Sequence, residues 1–291
     1  MALRTLILDF DGTCTDVPAT HQRFLDETFR VYSAAYPMVT LERWERALTA
    51  VRAAAPDAAW MLAKVPAAPS GADPYVLAGE AISFLNREDG RRDPQPDFFT
   101  EPYKLAEAPF RPELVSVLEA ADAMDLAIHF ISNSDTKKIA GRLDSLLADK
   151  PALRAKIKVE GNAAKFSVME LPWDQTFPQW LRQRFERLPA EAARRLSRPI
   201  YLRRGSYMRA LGTVWGDDDY GPSSTLVCGD IWELDLALPD ALGCAVHLIE
   251  RAPPYFTYAY ELDAMTAARR GSSSYDLNGL LARLRRELAS S

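Results

Sequence analysis

Leu6-Ile7-Leu8 is a short continuous apolar run that stops abruptly at Asp9-Phe10-Asp11-Gly12. Such a run predicts a strand buried on both faces, as in parallel sheets, delivering polar residues at the C-terminal end where open α/β sheets receive ligands. The arrangement recurs along the chain. Ala127 to Ile131 is largely apolar and ends in Ser132-Asn133-Ser134, Thr225 to Cys228 ends in Gly229-Asp230, and Ile157-Lys158-Val159 and Cys244 to Ile249 predict further strands. Helical periodicity fills the intervals: Leu114, Val117, Leu118 and Ala121 share a face, Thr136 to Leu147 reads as the next helix, and Tyr207 to Leu211 begins another. After Gly271-Ser272-Ser273-Ser274, read as a loop with a good N-cap, Leu277, Leu280, Leu281, Leu284 and Leu288 carry the period of a helix packed on the core.

The stretch from Pro18 to Leu105 breaks this rhythm. It lacks clear strands and carries helical patterning at Phe24, Thr28, Val31 and Tyr32, at Leu41, Trp44, Leu48 and Val51, and at Val76, Ile82 and Leu85. Pro66-Ala67-Ala68-Pro69-Ser70-Gly71 interrupts it and Asp93-Pro94-Gln95-Pro96 marks its return, because Pro and Gly punctuate regular structure. The expected organisation is a Rossmann-like α/β core with a parallel sheet, contributed by residues 1–16 and 107–291, and a mostly α-helical insert over 17–106 with hinges near 16–20 and 104–110. A second insert is expected near 166–200, where Pro172, Pro178 and Pro189 obscure the pattern.

Composition narrows the functional classes. At 48% hydrophobic and 26% charged residues the chain has the make-up of a globular protein. A net charge of -5 argues against a nucleic-acid surface, which draws on an excess of clustered Lys and Arg. The basic stretch Arg194, Arg195, Arg198, Arg203 and Arg204 is a local exception, either a solvated face or an anion contact. Cys14, Cys228 and Cys244 have neither disulfide-framework nor zinc-ligand spacing. With no leader-like N-terminus and no apolar run of about 18 residues, a cytoplasmic protein without a membrane span is expected.

The chemistry lies at the strand ends. Parallel-sheet logic brings Asp9 and Asp11, Ser132 and Asn133, and Asp230 and Asp235 to one edge of the sheet. Carboxylates gathered this way repel and raise one another's pKa unless a cation lies among them, and all-oxygen donors favour Mg²⁺. Asp9-Phe10-Asp11-Gly12-Thr13-Cys14-Thr15 closely resembles the first motif, DxDGTxT, of the haloacid dehalogenase (HAD) superfamily. Ser132-Asn133 after its strand is similar to the second motif, and Gly229-Asp230 through Asp235 to the GDxxxxD form of the fourth. The insert over 17–106 stands where the family places a C1-type cap.

The resemblance implies a Mg²⁺-dependent phosphatase acting on a small phosphorylated metabolite through an aspartyl-phosphate intermediate. Asp9 would be the nucleophile and Asp11 the general acid and base, with Gly12 giving the strand end its freedom to turn. Gly12, Thr13, Ser132 and Asn133 would line the phosphate site, and Asp9, Asp11 through its backbone carbonyl, Asp230 and Asp235 would hold the metal, with Glu233 competing for the part of Asp235. Lys165 stands after the third strand, where the family's third-motif lysine is expected; Arg203 or Arg204 lies closer to the usual separation from Asp230. Arg198-Pro199-Ile200-Tyr201 resembles the family's Lys-Pro segment with Arg substituted.

Other readings stay open. A phosphomutase or a phosphonate-cleaving relative would share the core, the latter needing a cap lysine for which Lys64 and Lys104 are the candidates; a catalytically silent HAD-like binding protein is the rival from another class. His129 and His247 fall inside apolar strands and read as core residues, His21 lies near a hinge where it could meet substrate, and Trp44, Trp60, Trp173 and Trp180 read first as packing. No nucleic-acid or membrane partner is expected, and the assembly is a monomer or homodimer.

Overall fold

The computed structural model describes residues 2–91, 97–170, 177–192 and 196–289. Its strands are β1 (Thr5–Leu8), β2 (Ala59–Leu62), β3 (Val65–Pro69), β4 (Ala127–Ile131), β5 (Ile157–Glu160), β6 (Glu191–Ala192), β7 (Ile200–Tyr201), β8 (Thr225–Gly229), β9 (Ala245–Ile249) and β10 (Gly271–Ser274). Six of them form one parallel sheet in the order β10-β9-β8-β1-β4-β5. The two-residue alternation of β1 splits its side chains between two cores: Leu6 and Leu8 join one, Ile7 the other. Leu114, Val117 and Leu118 and the C-terminal Leu277, Leu280, Leu281 and Leu284 cover the first face, while Tyr207, Met208, Leu211 and Trp232 cover the second. Leu288 falls outside the described side chains, as do Trp173, Arg194, Arg195 and the 93–96 segment.

β1 is the pivot of the topology. The chain leaves it for β4 and β5 on one side and returns to β8 and β9 on the other, so β1, β4 and β8 end side by side at the switch point where open sheets bind ligands. The serine-rich 271–274 segment, expected as a loop, is the edge strand β10. Its Ser272 and Ser274 hydroxyls bond the two ring nitrogens of His247 at 2.7 and 2.8 Å, so a tertiary partner overrides the poor strand propensity of Gly and Ser.

Residues 17–106 carry the helices α1 (His21–Ala35), α2 (Leu41–Ala54), α3 (Pro74–Glu88) and α4 (Thr100–Leu105). Thr40 caps α2, and Asp73 caps α3 with Pro74 in its first turn. Phe24, Tyr32, Trp44, Leu48, Leu77 and Leu85 bury a core of their own. The expectation of no strands here is corrected: β2 and β3 form an antiparallel hairpin through the proline-containing 65–69 segment. Prolines fit because the sheet has only two strands and its register slips between Trp60 and Met61. The two connections to the sheet run side by side, Thr15 bridging Phe110 and Asp16 N–H donating to Pro109 O at 2.8 Å. In the region of the second expected insert, a helix at Gln179–Arg187 is followed by β6 paired with β7. No helix among the described residues is long and apolar enough to cross a membrane.

Candidate active site

Three carboxylates meet beyond the ends of β1 and β8. Asp9, Asp230 and Asp235 are buried, with one oxygen from each lying within 4.8 Å of the others. Asp230 arrives directly from β8, and Asp235 is carried back by the π-helical turn Trp232–Leu236. Gly229 makes that return possible, because a Cβ there would lie 2.2 Å from Asp235 Cβ. Asp235 Oδ2 accepts the backbone N–H of Ile231 at 2.9 Å and of Asp230 at 3.2 Å, leaving Oδ1 for the cluster. Gly12 is equally constrained: its φ is +85°, and a Cβ would come within 2.5 Å of Asp230 Oδ2.

Lys165 threads into this cluster. Its ammonium, 1% exposed, donates to Asp9 Oδ1 at 2.5 Å and to Asp235 Oδ1. Burial works against the charge, yet Asp235 and Asp9 outweigh it and hold Lys165 above its ordinary value. Asp9 shows the converse balance, pushed up to about 7 by burial against the pull of Lys165, with Asp235 adding to the rise. Asp230 is held well above the usual carboxylate range by burial and then by Asp235 and Asp9. Among the described residues its carboxylate receives a single hydrogen bond, from Thr13 Oγ1 at 3.1 Å. Three carboxylates against one ammonium leave two negative charges, which a divalent cation bound by hard oxygen donors would neutralise.

Asp11 takes a different direction. Its Oδ2 accepts the hydroxyls of Ser134 and, at 3.4 Å, of Tyr103 on α4, so its side chain lies outside the carboxylate cluster. Thr13 is fully buried, and its hydroxyl donates to Asp9 Oδ2 at 3.3 Å and Asp230 Oδ1 at 3.1 Å. The Gly12 N–H is engaged by Thr15 Oγ1 at 3.2 Å. Ser132 lines the cavity and accepts the Ser134 N–H at 3.2 Å, while Asn133 Oδ1 accepts the Lys165 N–H at 2.7 Å and so fixes the loop that delivers the lysine. Sequence reasoning missed Ser134 and Tyr103; Ser134 was in view as the third polar residue after β4, whereas nothing local marks Tyr103.

The rival residues have other partners. Glu233 is bidentate to Arg198 at 2.7 and 2.9 Å and accepts the Tyr260 hydroxyl at 2.8 Å. Arg203 pairs with Glu170 and the carbonyls of Glu186 and Leu188. Arg204 is fully buried and donates to the carbonyls of Lys165, Ala67 and Tyr201 at 2.8, 2.7 and 3.0 Å, behind the lysine. His21 donates to Pro18 O at 2.7 Å and meets the Tyr255 ring edge-on, and His129 and His247 are buried in the sheet. Lys64 occupies the β2–β3 turn with φ +68°, and Lys104 lies on the rim of the cavity above Asp9. That cavity encloses about 790 Å³ and reaches from Asp9, Asp11 and Lys165 to α3, α4 and the hairpin. The three cysteines are buried free thiols.

No family model matches the sequence, and no curated protein matches it. Solved structures do. A predicted phosphoglycolate phosphatase from Haemophilus somnus is 14% identical over 96% of this chain and 97% of its own, with a TM-score of 0.51. A proposed HAD-hydrolase from Bacillus subtilis, bound to magnesium, is 14% identical over 98% of this chain and all of its own, at 0.48. An L-2-haloacid dehalogenase from Xanthobacter autotrophicus with chloropropionic acid covalently bound is 16% identical over 97% and 98%, at 0.45. At this identity the likeness shows the fold alone: the chain shares the α/β fold of the predicted phosphoglycolate phosphatase.

Proposed function

We propose that this protein is a Mg²⁺-dependent phosphatase that hydrolyses a small phosphomonoester through an aspartyl-phosphate on Asp9. The observation that carries the reading is the buried Asp9, Asp230 and Asp235 cluster threaded by Lys165, with Asp11 two residues on and facing the same cavity. Asp9, Asp230 and Asp235 would hold the metal, with the Asp11 backbone carbonyl. When bound, Mg²⁺ supplies positive charge to the phosphoryl oxygens and keeps Asp9 ionised.

An Asp9 carboxylate oxygen attacks phosphorus as the ester P–O bond breaks, and Asp11, held by Ser134 and Tyr103, gives its proton to the departing alkoxide. Asp11, now a carboxylate, takes a proton from water, whose oxygen attacks the same phosphorus and releases phosphate and Asp9. Lys165 and the Ser132 hydroxyl are positioned to meet the negative charge on the phosphoryl group, the lysine exchanging part of its contact with Asp9 for the incoming oxygens. Segment 17–106 acts as the cap over this chemistry, since α3, α4 and the hairpin wall the cavity and limit water around the intermediate. Retention of Asp11 favours phosphate esters over haloacids, whose leaving halide needs no proton. Buried free thiols fit a reducing, cytoplasmic setting.

The test is release of inorganic phosphate from a panel of aryl and metabolite phosphates. Turnover that EDTA abolishes, Mg²⁺ restores and Asp9→Asn lacks is the expected result. A folded wild type that releases no phosphate from any member with Mg²⁺ present would count against it.

A further inference from the structure

The cavity above Asp9 is far larger than a phosphoryl group, and what remains of it is walled mainly by carbon. We propose, resting on the phosphatase reading of the site, that the organic part of the substrate is a flat apolar group, above all an aromatic ring system, rather than a sugar.

The first observation is the placement of the aromatic residues. Trp60 of the hairpin and Phe166, directly after Lys165, lie with ring centroids 5.2 Å apart; they pack against the small cluster of Ala68, Ala72, Ile231 and Leu234 and, only half-buried, also line the cavity. Tyr75, Phe99 and Tyr103 line it from the helical segment, Tyr75 stacking on Tyr103 at 4.4 Å. Aromatic rings that serve only as core would be covered by protein. A volume near 790 Å³ lies within the range of about 300–1,000 Å³ that encloses a whole organic ligand.

The second is Gly79. It lies within α3, where glycine costs about 1 kcal/mol relative to alanine. A Cβ there would meet only Phe99 Cζ, at 3.8 Å, so no neighbouring protein atom demands the glycine. What its bare backbone preserves is room on the cavity wall.

The third concerns the polar groups away from the reacting carboxylates, several of which are engaged within the protein. Asp73 caps α3 by accepting the Val76 N–H at 2.7 Å, Thr100 bonds Asp97, and the Tyr103 hydroxyl donates to Asp11. At the rim Glu107 is ion-paired to Arg142 at 3.5 Å, Asp135 caps the helix that follows β4, and the Lys138 ammonium sits over the Tyr103 ring at 4.2 Å. A sugar would leave hydroxyls facing carbon over most of the wall.

The experiment compares two primary alkyl esters with similar leaving groups, 2-phenylethyl phosphate and glucose 6-phosphate, in Mg²⁺. Burying a phenyl ring predicts kcat/KM at least about tenfold higher for the aromatic ester. Gly79→Leu, which fills the wall, is expected to lower the ratio of 2-phenylethyl to ethyl phosphate turnover by about tenfold, and Trp60→Ala to raise KM for the aromatic ester more than it lowers kcat. Equal or better use of glucose 6-phosphate, or an unchanged ratio in both variants, overturns the inference. Calorimetric binding of the non-hydrolysable 2-phenylethylphosphonate separates the two claims. Binding that Gly79→Leu weakens, without turnover of any ester, upholds the apolar site while the hydrolase reading fails; no binding and no turnover removes both.

Discussion

The Lys165 ammonium lies 2.5 Å from Asp9 Oδ1, on the carboxylate that would attack phosphorus. The same ammonium reaches Asp235, so one buried cation restrains two of the three clustered carboxylates. This contact organises the site before any substrate arrives. Sheet order delivers the lysine: β5 ends beside β4, and the turn after Glu160 brings Lys165 across to Asp9 at the end of β1.

Lys165→Met is expected to lower kcat by about 10²–10³, the usual loss for one donor aimed at developing charge. Without the ammonium the carboxylates also repel more strongly, so the variant should unfold more readily in EDTA than the wild type does, with Mg²⁺ recovering much of the difference. Steady-state kinetics and thermal unfolding with and without Mg²⁺ read both effects.

Arg204 positions that lysine through its backbone. Its guanidinium joins the carbonyls of Lys165, Ala67 of β3 and Tyr201 of β7, and burial lowers its pKa to about 10. Arg204→Lys replaces a planar fork with a single point of donation and leaves carbonyls without partners, each costing about 1–3 kcal/mol. The expected result is a loss of stability in urea unfolding together with a fall in kcat, because the Lys165 loop loses its tether. Wild-type stability in this variant would show the fork to be dispensable.

Acid should destabilise the protein through its sheet histidines. Burial, reinforced by Arg283 and Arg286, depresses His247 to about 3, and burial with Lys158 depresses His129 to about 4, from an ordinary value of 6.5. The unfolded chain therefore binds protons that the native state excludes. Their contribution is present above the ordinary value of 6.5 and is lost as pH falls toward about 4 for His129 and about 3 for His247, with a slope of up to about 1.4 kcal/mol per pH unit for each histidine. His247→Gln should flatten the fall between pH 6.5 and 4 in urea unfolding; a profile identical to the wild type would contradict the assignment.

How much of this was legible in the sequence depends on the range of the interactions. β1, β4 and β8 announce themselves because a strand buried on both faces must be continuously apolar, and the polar residues after each then have only one edge to occupy. The roles of Glu233 and Asp235 could not be separated, since Glu233 is drawn off by Arg198 and Tyr260 from distant segments and Asp235 is turned inward by a π-helical turn with no local signature. The hairpin was hidden by its own prolines, which a two-stranded sheet tolerates. Tyr103 carries no pattern that distinguishes a hydroxyl aimed at Asp11 from a packed ring, and β10 is a strand because His247 waits beside it.

The covalent step is the most direct point of attack. Wild-type protein mixed with a ³²P-labelled phosphomonoester and Mg²⁺, then quenched in acid within a single turnover, should retain label that hydroxylamine removes, as an acyl phosphate requires, and Asp9→Asn should retain none. Label-free wild-type protein during active phosphate release, or equal labelling of Asp9→Asn, would contradict Asp9 as the nucleophile.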